Sequence, residues 1–236
     1  MKRLIVVAVS FLLALSLAAP VAFAQAGQSS TASGATGEFV TAWWQWALSK
    51  PANSNLLFGG DPNYSEKQCD GTPLNGTPTK TWFLAGTFDG SVVERTCTVP
   101  PNRQIFFTVF NTAVLADPGD TEASLLAQAH EFIDGVLADP DFSMVVTVDG
   151  NQLPNESIVR AEAGLFTGTS PLLHGKYTAV ADGFWVTLPP LSAGEHTIHW
   201  EVSAPNVDTD PAKAGAEGFF QDNTYHLTVV QGKPAQ

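Results

Sequence analysis

Residues 179–202 read AVADGFWVTLPPLSAGEHTIHWEV, and the two runs inside this stretch decide the fold. Ala179 to Leu188 and Glu195 to Val202 have the length and the β-branched and aromatic content of strands, with Pro189-Pro190 and Gly194 as breaks between them. In the second run His196, Ile198, Trp200 and Val202 share one face at period two, leaving Thr197, His199 and Glu201 on the other. Thr224 to Val230 repeats the pattern, with Tyr225, Leu227 and Val229 opposed to His226 and Thr228. Apolar-in, polar-out alternation marks sheets with one wet face, the condition of an antiparallel sandwich.

Working outward, Thr81 to Phe88, Ser91 to Val99 and Gln104 to Phe110 read as three short strands. Asp89-Gly90 and Pro100-Pro101-Asn102 separate them, and the spacing predicts a meander. Phe142 to Val148 alternates as a strand, Asp149-Gly150 marks a turn into a short stretch around Ser157 to Ala161, and a less regular region follows. No Gly-rich nucleotide loop and no βαβ repeat interrupts the series. The expected class is therefore mainly β: an antiparallel β-sandwich of about eight or more strands with two amphipathic helices.

The first helix is expected over Glu38 to Ser49, ending before Pro51. Phe39, Trp43 and Trp46 recur on one face with Val40 and Ala47 beside them. That placement favours core packing for Trp43 and Trp46 over a carbohydrate platform. Trp44 falls at the edge of the sector, so it is expected to be partly exposed and is the candidate ligand contact. Asp117-Pro118-Gly119-Asp120 is expected to cap a second helix, Thr121 to Ala138, with Leu125, Leu126, Ala129, Phe132, Ile133 and Val136 as its apolar stripe. His130, beside that stripe, reads as a structural or surface histidine.

The chain start reads as a secretory signal peptide over residues 1–24. Lys2 and Arg3 precede the apolar run Leu4 to Leu17, Pro20 breaks it, and Ala22-Phe23-Ala24 fits the small-x-small cleavage rule. Residues 25–37 form a Ser-, Ala- and Gly-rich flexible tether, 38–232 a single domain, and 233–236 a tail. The expected location is secreted or on the exterior of the cell envelope, periplasmic in a Gram-negative source, with no membrane span after signal removal. The only two cysteines, Cys69 and Cys97, lie in the exported part and read as one disulfide, which leaves little support for a catalytic thiol. Acidic residues number 23 against 11 basic ones, a net charge of -12, which repels nucleic acid.

Candidate chemistry is sparse. His199, Glu201 and His226 would meet on the polar face if their strands pair antiparallel, and two imidazoles with a carboxylate suit zinc or ferrous iron. Solvent-facing polar residues give the same pattern. Asp61, Asn63 and Ser65 copy the start of a calcium loop, but Glu66 and Thr72 stand where Gly and a bidentate Glu are needed. Asn206, Asp208 and Asp210 have similar spacing, with Pro211 at the Gly position. No Gly-x-Ser-x-Gly elbow and no His-Glu-x-x-His helix occurs.

Five segments together resemble a group of uncharacterised secreted bacterial proteins: Trp43-Trp44-Gln45-Trp46; Trp82-Phe83-Leu84-Ala85-Gly86-Thr87; Arg95-Thr96-Cys97-Thr98-Val99-Pro100; Ile105-Phe106-Phe107; and Leu188-Pro189-Pro190 through Ile198. The resemblance implies export, a bacterial source and a β-rich fold, and it transfers no catalytic residue. Gly194-Glu195-His196-Thr197-Ile198 through Tyr225-His226-Leu227-Thr228-Val229 is also similar to the last two strands of Ig-like extracellular modules. The expected function is non-catalytic binding of a neutral or cationic extracellular ligand or a cell-surface partner, with no cofactor. The alternative is a secreted enzyme acting on glycans through carboxylates or a His/Glu metal site, in which calcium or zinc would enter.

Overall fold

The computed structural model describes residues 36–52, 55–57, 69–76, 78–88, 90, 92–207 and 218–232. The signal segment, most of the tether, the tail, the Asp61-Asn63-Ser65 spacing and Asp208 and Asp210 lie outside the described residues. Helix α1 spans Gly37–Leu48 and α2 Glu122–Leu137. The strands are β1 Thr81–Leu84, β2 Val92–Val99, β3 Gln104–Leu115, β4 Ser143–Val148, β5 Asn151–Gln152, β6 Ile158–Ser170, β7 Gly175–Leu188, β8 Gly194–Ala204 and β9 Phe219–Val229.

These nine strands among the described residues form two sheets, ordered β1-β3-β7-β6 and β2-β9-β8-β4-β5. The fold is mainly β, as the alternation predicts, but both sheets are mixed. The edge strands β1 and β2 run parallel to their neighbours β3 and β9, with Trp82 opposite Ile105 and Cys97 opposite Leu227. The expected meander of the first three strands is therefore corrected. Between β1 and β2 the chain changes sheets, and Ala85 is the pivot: its carbonyl accepts from the Tyr225 hydroxyl at 2.8 Å and from the buried Arg95 guanidinium. At Gly86 the backbone passes so close to β9 that a Cβ would stand 2.6 Å from the Gln221 side-chain oxygen. The chain between β1 and β2 thus crosses between sheets and does not form a hairpin.

The inner faces of the sheets enclose one core, with Phe107 against Trp200 at 4.8 Å between ring centroids and Trp200 stacked on Tyr225. Cys69 and Cys97 are disulfide-bonded at the edge of this core, with Cα atoms 5.6 Å apart. α1 covers the outer face of the four-stranded sheet. Its aromatic sector docks as its spacing implies: the Trp43 indole N–H donates to the Leu84 carbonyl at 2.8 Å, and that of Trp46 donates to the Asp70 carbonyl at 2.8 Å. Trp43 also meets Trp185 edge-on, and Trp185 stacks on Phe106. α2 packs Leu125 and Ala129 against Val114 and Val180. Its N-cap is Thr121, which exchanges hydrogen bonds with Ser124 in a capping box, so the preceding Asp-Pro-Gly-Asp turn leads into the cap without forming it.

The region expected to be irregular is a long hairpin, β6 with β7. Its alternation is interrupted by a register shift between Ala163 and Phe166, and a second shift interrupts β3 between Thr108 and Phe110.

Candidate functional site

Two strands of unequal length open a cavity. β1 is paired to β3 only from Gln104 to Phe107, then leaves for the other sheet, while β3 runs on to Leu115. Beyond Phe107, that edge of β3 has no neighbouring strand among the described residues. A cavity of about 210 Å³ lies in the notch. Trp44 and Leu48 of α1 line one side and Asn111 to Ala113 of β3 another, and the remaining wall includes Phe132 of α2, Phe219 and Gln221 of β9, and Phe88 at the crossover.

Trp44 lines this cavity, and its expected exposure is corrected. It is only 3% exposed, because its ring lies against Phe88 with centroids 5.9 Å apart and planes at 19°. Phe88 is 40% exposed and forms the outer lip. Asn111 was missed by sequence reasoning, which ended the strand at Phe110; the signal was a single amide in the mostly apolar run IFFTVFNTAVL that follows Gln104. The register shift before Phe110 turns Asn111 and Ala113 to the α1 side, and Gly183, opposite Asn111 in the ladder, leaves the space its side chain fills.

The wall is uncharged among the described residues, and it is mostly apolar. Its polar groups divide into two kinds. The Gln221 amide is engaged, donating to the Thr87 carbonyl at 3.1 Å. The Trp44 indole N–H and the Asn111 amide nitrogen are out of contact with water and have no hydrogen-bond partner. Each such donor costs the fold about 1–3 kcal/mol until something accepts from it.

The residues proposed for metal binding do share the outer face of the five-stranded sheet. The ladder sets Thr197 opposite His226, His199 opposite Thr224 and Glu201 opposite Asp222. Each imidazole turns to a different carboxylate: His199 Nε2 lies 2.9 Å from Asp222 and His226 Nε2 lies 2.6 Å from Glu94. Among the described residues no group of three or more His, Cys, Asp or Glu is placed to hold a metal ion.

Four further polar clusters hold the frame. Asp182, 1% exposed, accepts from Arg160 at 2.6 Å, and Arg160 also reaches Asp134 of α2 at 2.6 Å. His130 Nε2 lies 2.7 Å from Glu162, which ties α2 to β6. The Asp139 carboxylate receives the Asn206 backbone and side-chain N–H groups at 2.7 and 2.9 Å. Burial pushes the Asp139 carboxyl up, but the hydrogen bonds from Asn206, Asp141 and Val207 outweigh it and hold it below the ordinary value. At the β4–β5 turn the His196 hydrogen bond holds Asp149 low, and Asp149 in turn holds the His196 imidazolium above its usual range.

No family model matches the chain, and no curated protein matches it. Solved structures similar to it include the cysteine protease inhibitor EhICP2 from Entamoeba histolytica, 13% identical with a TM-score of 0.22. Amebosin is similar at 12% identity and a TM-score of 0.20. Each match covers 62% of this chain and 95% of the other. Likenesses this slight carry no argument about the site.

Proposed function

We propose that the protein is an exported, non-catalytic β-sandwich that binds a neutral extracellular ligand in the cavity at Trp44. The observation that carries this reading is a cavity of about 210 Å³ whose described wall has no charged side chain. Of the neutral and cationic ligands that the acidic composition allows, an uncharged wall suits the neutral one, since a buried cation needs a paired carboxylate. Export is supported by the basic start, apolar run and Ala22-Phe23-Ala24 site, and by the Cys69–Cys97 disulfide. The likeness to uncharacterised secreted bacterial proteins belongs to the same proposal. No membrane-crossing helix occurs among the described residues.

Toluene, a neutral ring of suitable size, tests the seat. At tenfold excess over its Kd it should raise the denaturation midpoint of the mature chain by roughly 3 °C. Ala113→Leu, which fills the cavity, should abolish the rise. A midpoint that ignores toluene in the parent chain contradicts the reading.

A further inference from the structure

We infer that the ligand of this cavity is an extended, uncharged peptide segment of a partner protein, which pairs its main chain with the open edge of β3 and places one large apolar side chain in the cavity. The inference rests on the cavity being the binding seat. The ladder with β7 sets the direction of the main-chain groups on β3. The Ala116 N–H donates to the Thr178 carbonyl at 2.9 Å, and an unbroken antiparallel register runs back from there through Leu115 opposite Ala179 to Phe110 opposite Phe184. In such a ladder, hydrogen-bonded pairs alternate with pairs whose N–H and C=O groups point away from the partner strand. Phe110, Thr112 and Val114 therefore bond to β7, while Asn111, Ala113 and Leu115 turn theirs to the opposite edge, where β1 has already left. The outward main-chain groups of these three residues meet no partner among the described residues.

Elsewhere the margins of this sheet are covered. At β1 the Phe83 N–H donates to the Gly71 carbonyl at 2.7 Å, and at β6 the Gln45 amide donates to the Thr167 carbonyl at 2.8 Å. An uncovered row of alternating donors and acceptors is a template for another strand. From Asn111 to Leu115 the row runs about 13 Å, the length of roughly five extended residues. A small neutral molecule satisfies one or two of these groups, whereas an extended backbone matches the whole row at the same two-residue interval. Asn111, Ala113 and Leu115 are partly exposed and line the cavity together with Trp44 and Leu48, so a paired peptide turns alternate side chains into it. As for size, an apolar cavity of about 150 Å³ accommodates a benzene ring. This larger one has room for a phenylalanine or leucine side chain, and its uncharged described wall requires an uncharged segment.

The test is amide hydrogen exchange of the mature protein, read residue by residue by magnetic resonance, with the capped peptide acetyl-Thr-Val-Phe-Val-Thr-amide as probe. Without peptide, the Asn111, Ala113 and Leu115 amides should exchange faster than those of Thr112 and Val114. Saturating peptide should slow the three by at least about tenfold. The same peptide N-methylated at every residue cannot approach a strand edge and should protect none of them. If the three amides are already as slow as Thr112 and Val114 in the free protein, the edge is filled by the protein's own chain or, where dilution releases them, by a second copy, and the partner assignment is overturned. Peptide binding that protects none of the three, or protection that survives N-methylation, overturns the strand pairing while leaving the cavity as the seat. A peptide that does not bind to a protein whose midpoint toluene still raises overturns this inference alone. Failure of both overturns the seat with it.

Discussion

Trp44 of α1 stacks on Phe88 of the crossover segment at 5.9 Å, joining the helix that covers one sheet to the chain on its way to the other. This contact lies at the outer side of the cavity and ties the cavity to the packing of α1. It also separates Trp44 from its two neighbours, whose indoles are spent on carbonyls.

Trp43→Ala and Trp46→Ala should each cost about 3–5 kcal/mol, because each leaves a cavity and a carbonyl without its donor. Trp44→Phe should differ in kind. It keeps a ring against Phe88 and removes an unmatched donor, so the unliganded protein should change by less than about 1 kcal/mol. Chemical denaturation of the three variants checks the order, and a loss in Trp44→Phe equal to that in Trp43→Ala would contradict it.

Reduction of the Cys69–Cys97 bond releases a loop with a sequence separation of 28 residues. The chain-entropy model puts its contribution at roughly 3.5 kcal/mol. The double substitution of both cysteines by serine should lower stability by about that amount, and the purified parent should show no free thiol before reduction. Alkylation of both cysteines under native, non-reducing conditions would contradict the pairing.

Arg160 is the partner that makes the burial of Asp182 tolerable. Arg160→Leu leaves a buried carboxylate without its cation and should cost about 3 kcal/mol, the lower end for a broken pair because the guanidinium is partly exposed. Adding Asp182→Asn should recover part of the loss. Additive losses in a double-mutant cycle would show that the two do not interact.

The His196–Asp149 pair sets a pH window. The folded-state value of His196 is raised, so its contribution is fully present below the unfolded value near 6.5 and is lost as pH rises through the folded value. Asp149 is lowered, so its contribution is present above about 3.8 and is lost as pH falls through its folded value. The pair therefore stabilises most between roughly pH 4 and 6.5. Asp149→Asn should lower the denaturation midpoint within that window and by less at pH 9; an equal loss at both pH values would contradict the pair's role.

Sequence periodicity placed both helices within a residue or two and found the late strands, because amphipathic faces are written locally. The aromatic face of α1 and the alternation in β8 are such cases. The meander failed because Asp89-Gly90 is good turn chemistry wherever the chain reverses or crosses, and only the tertiary anchoring of Ala85 by Tyr225 and Arg95 distinguishes the two. Only the start of β6, around Ser157 to Ala161, was legible, because glycines at 164 and 168 and a register shift broke the alternation of the rest. The cavity was legible only through Trp44. Its other half depends on β3 outrunning β1 and on a register shift that turns Asn111 toward the helix, and both are properties of strand pairing.

The most direct test of the cavity as the binding seat reads the indole N–H resonances of the six tryptophans in a nitrogen-15 correlation spectrum during titration with toluene. Trp82 and Trp200, whose indoles are also unmatched but lie away from the cavity, serve as internal controls. The account predicts that the Trp44 resonance moves in a saturable way, as a group beside a newly bound aromatic ring does, and that Trp82 and Trp200 stay in place. A saturating titration in which Trp44 does not move, or moves no more than those two, would contradict it.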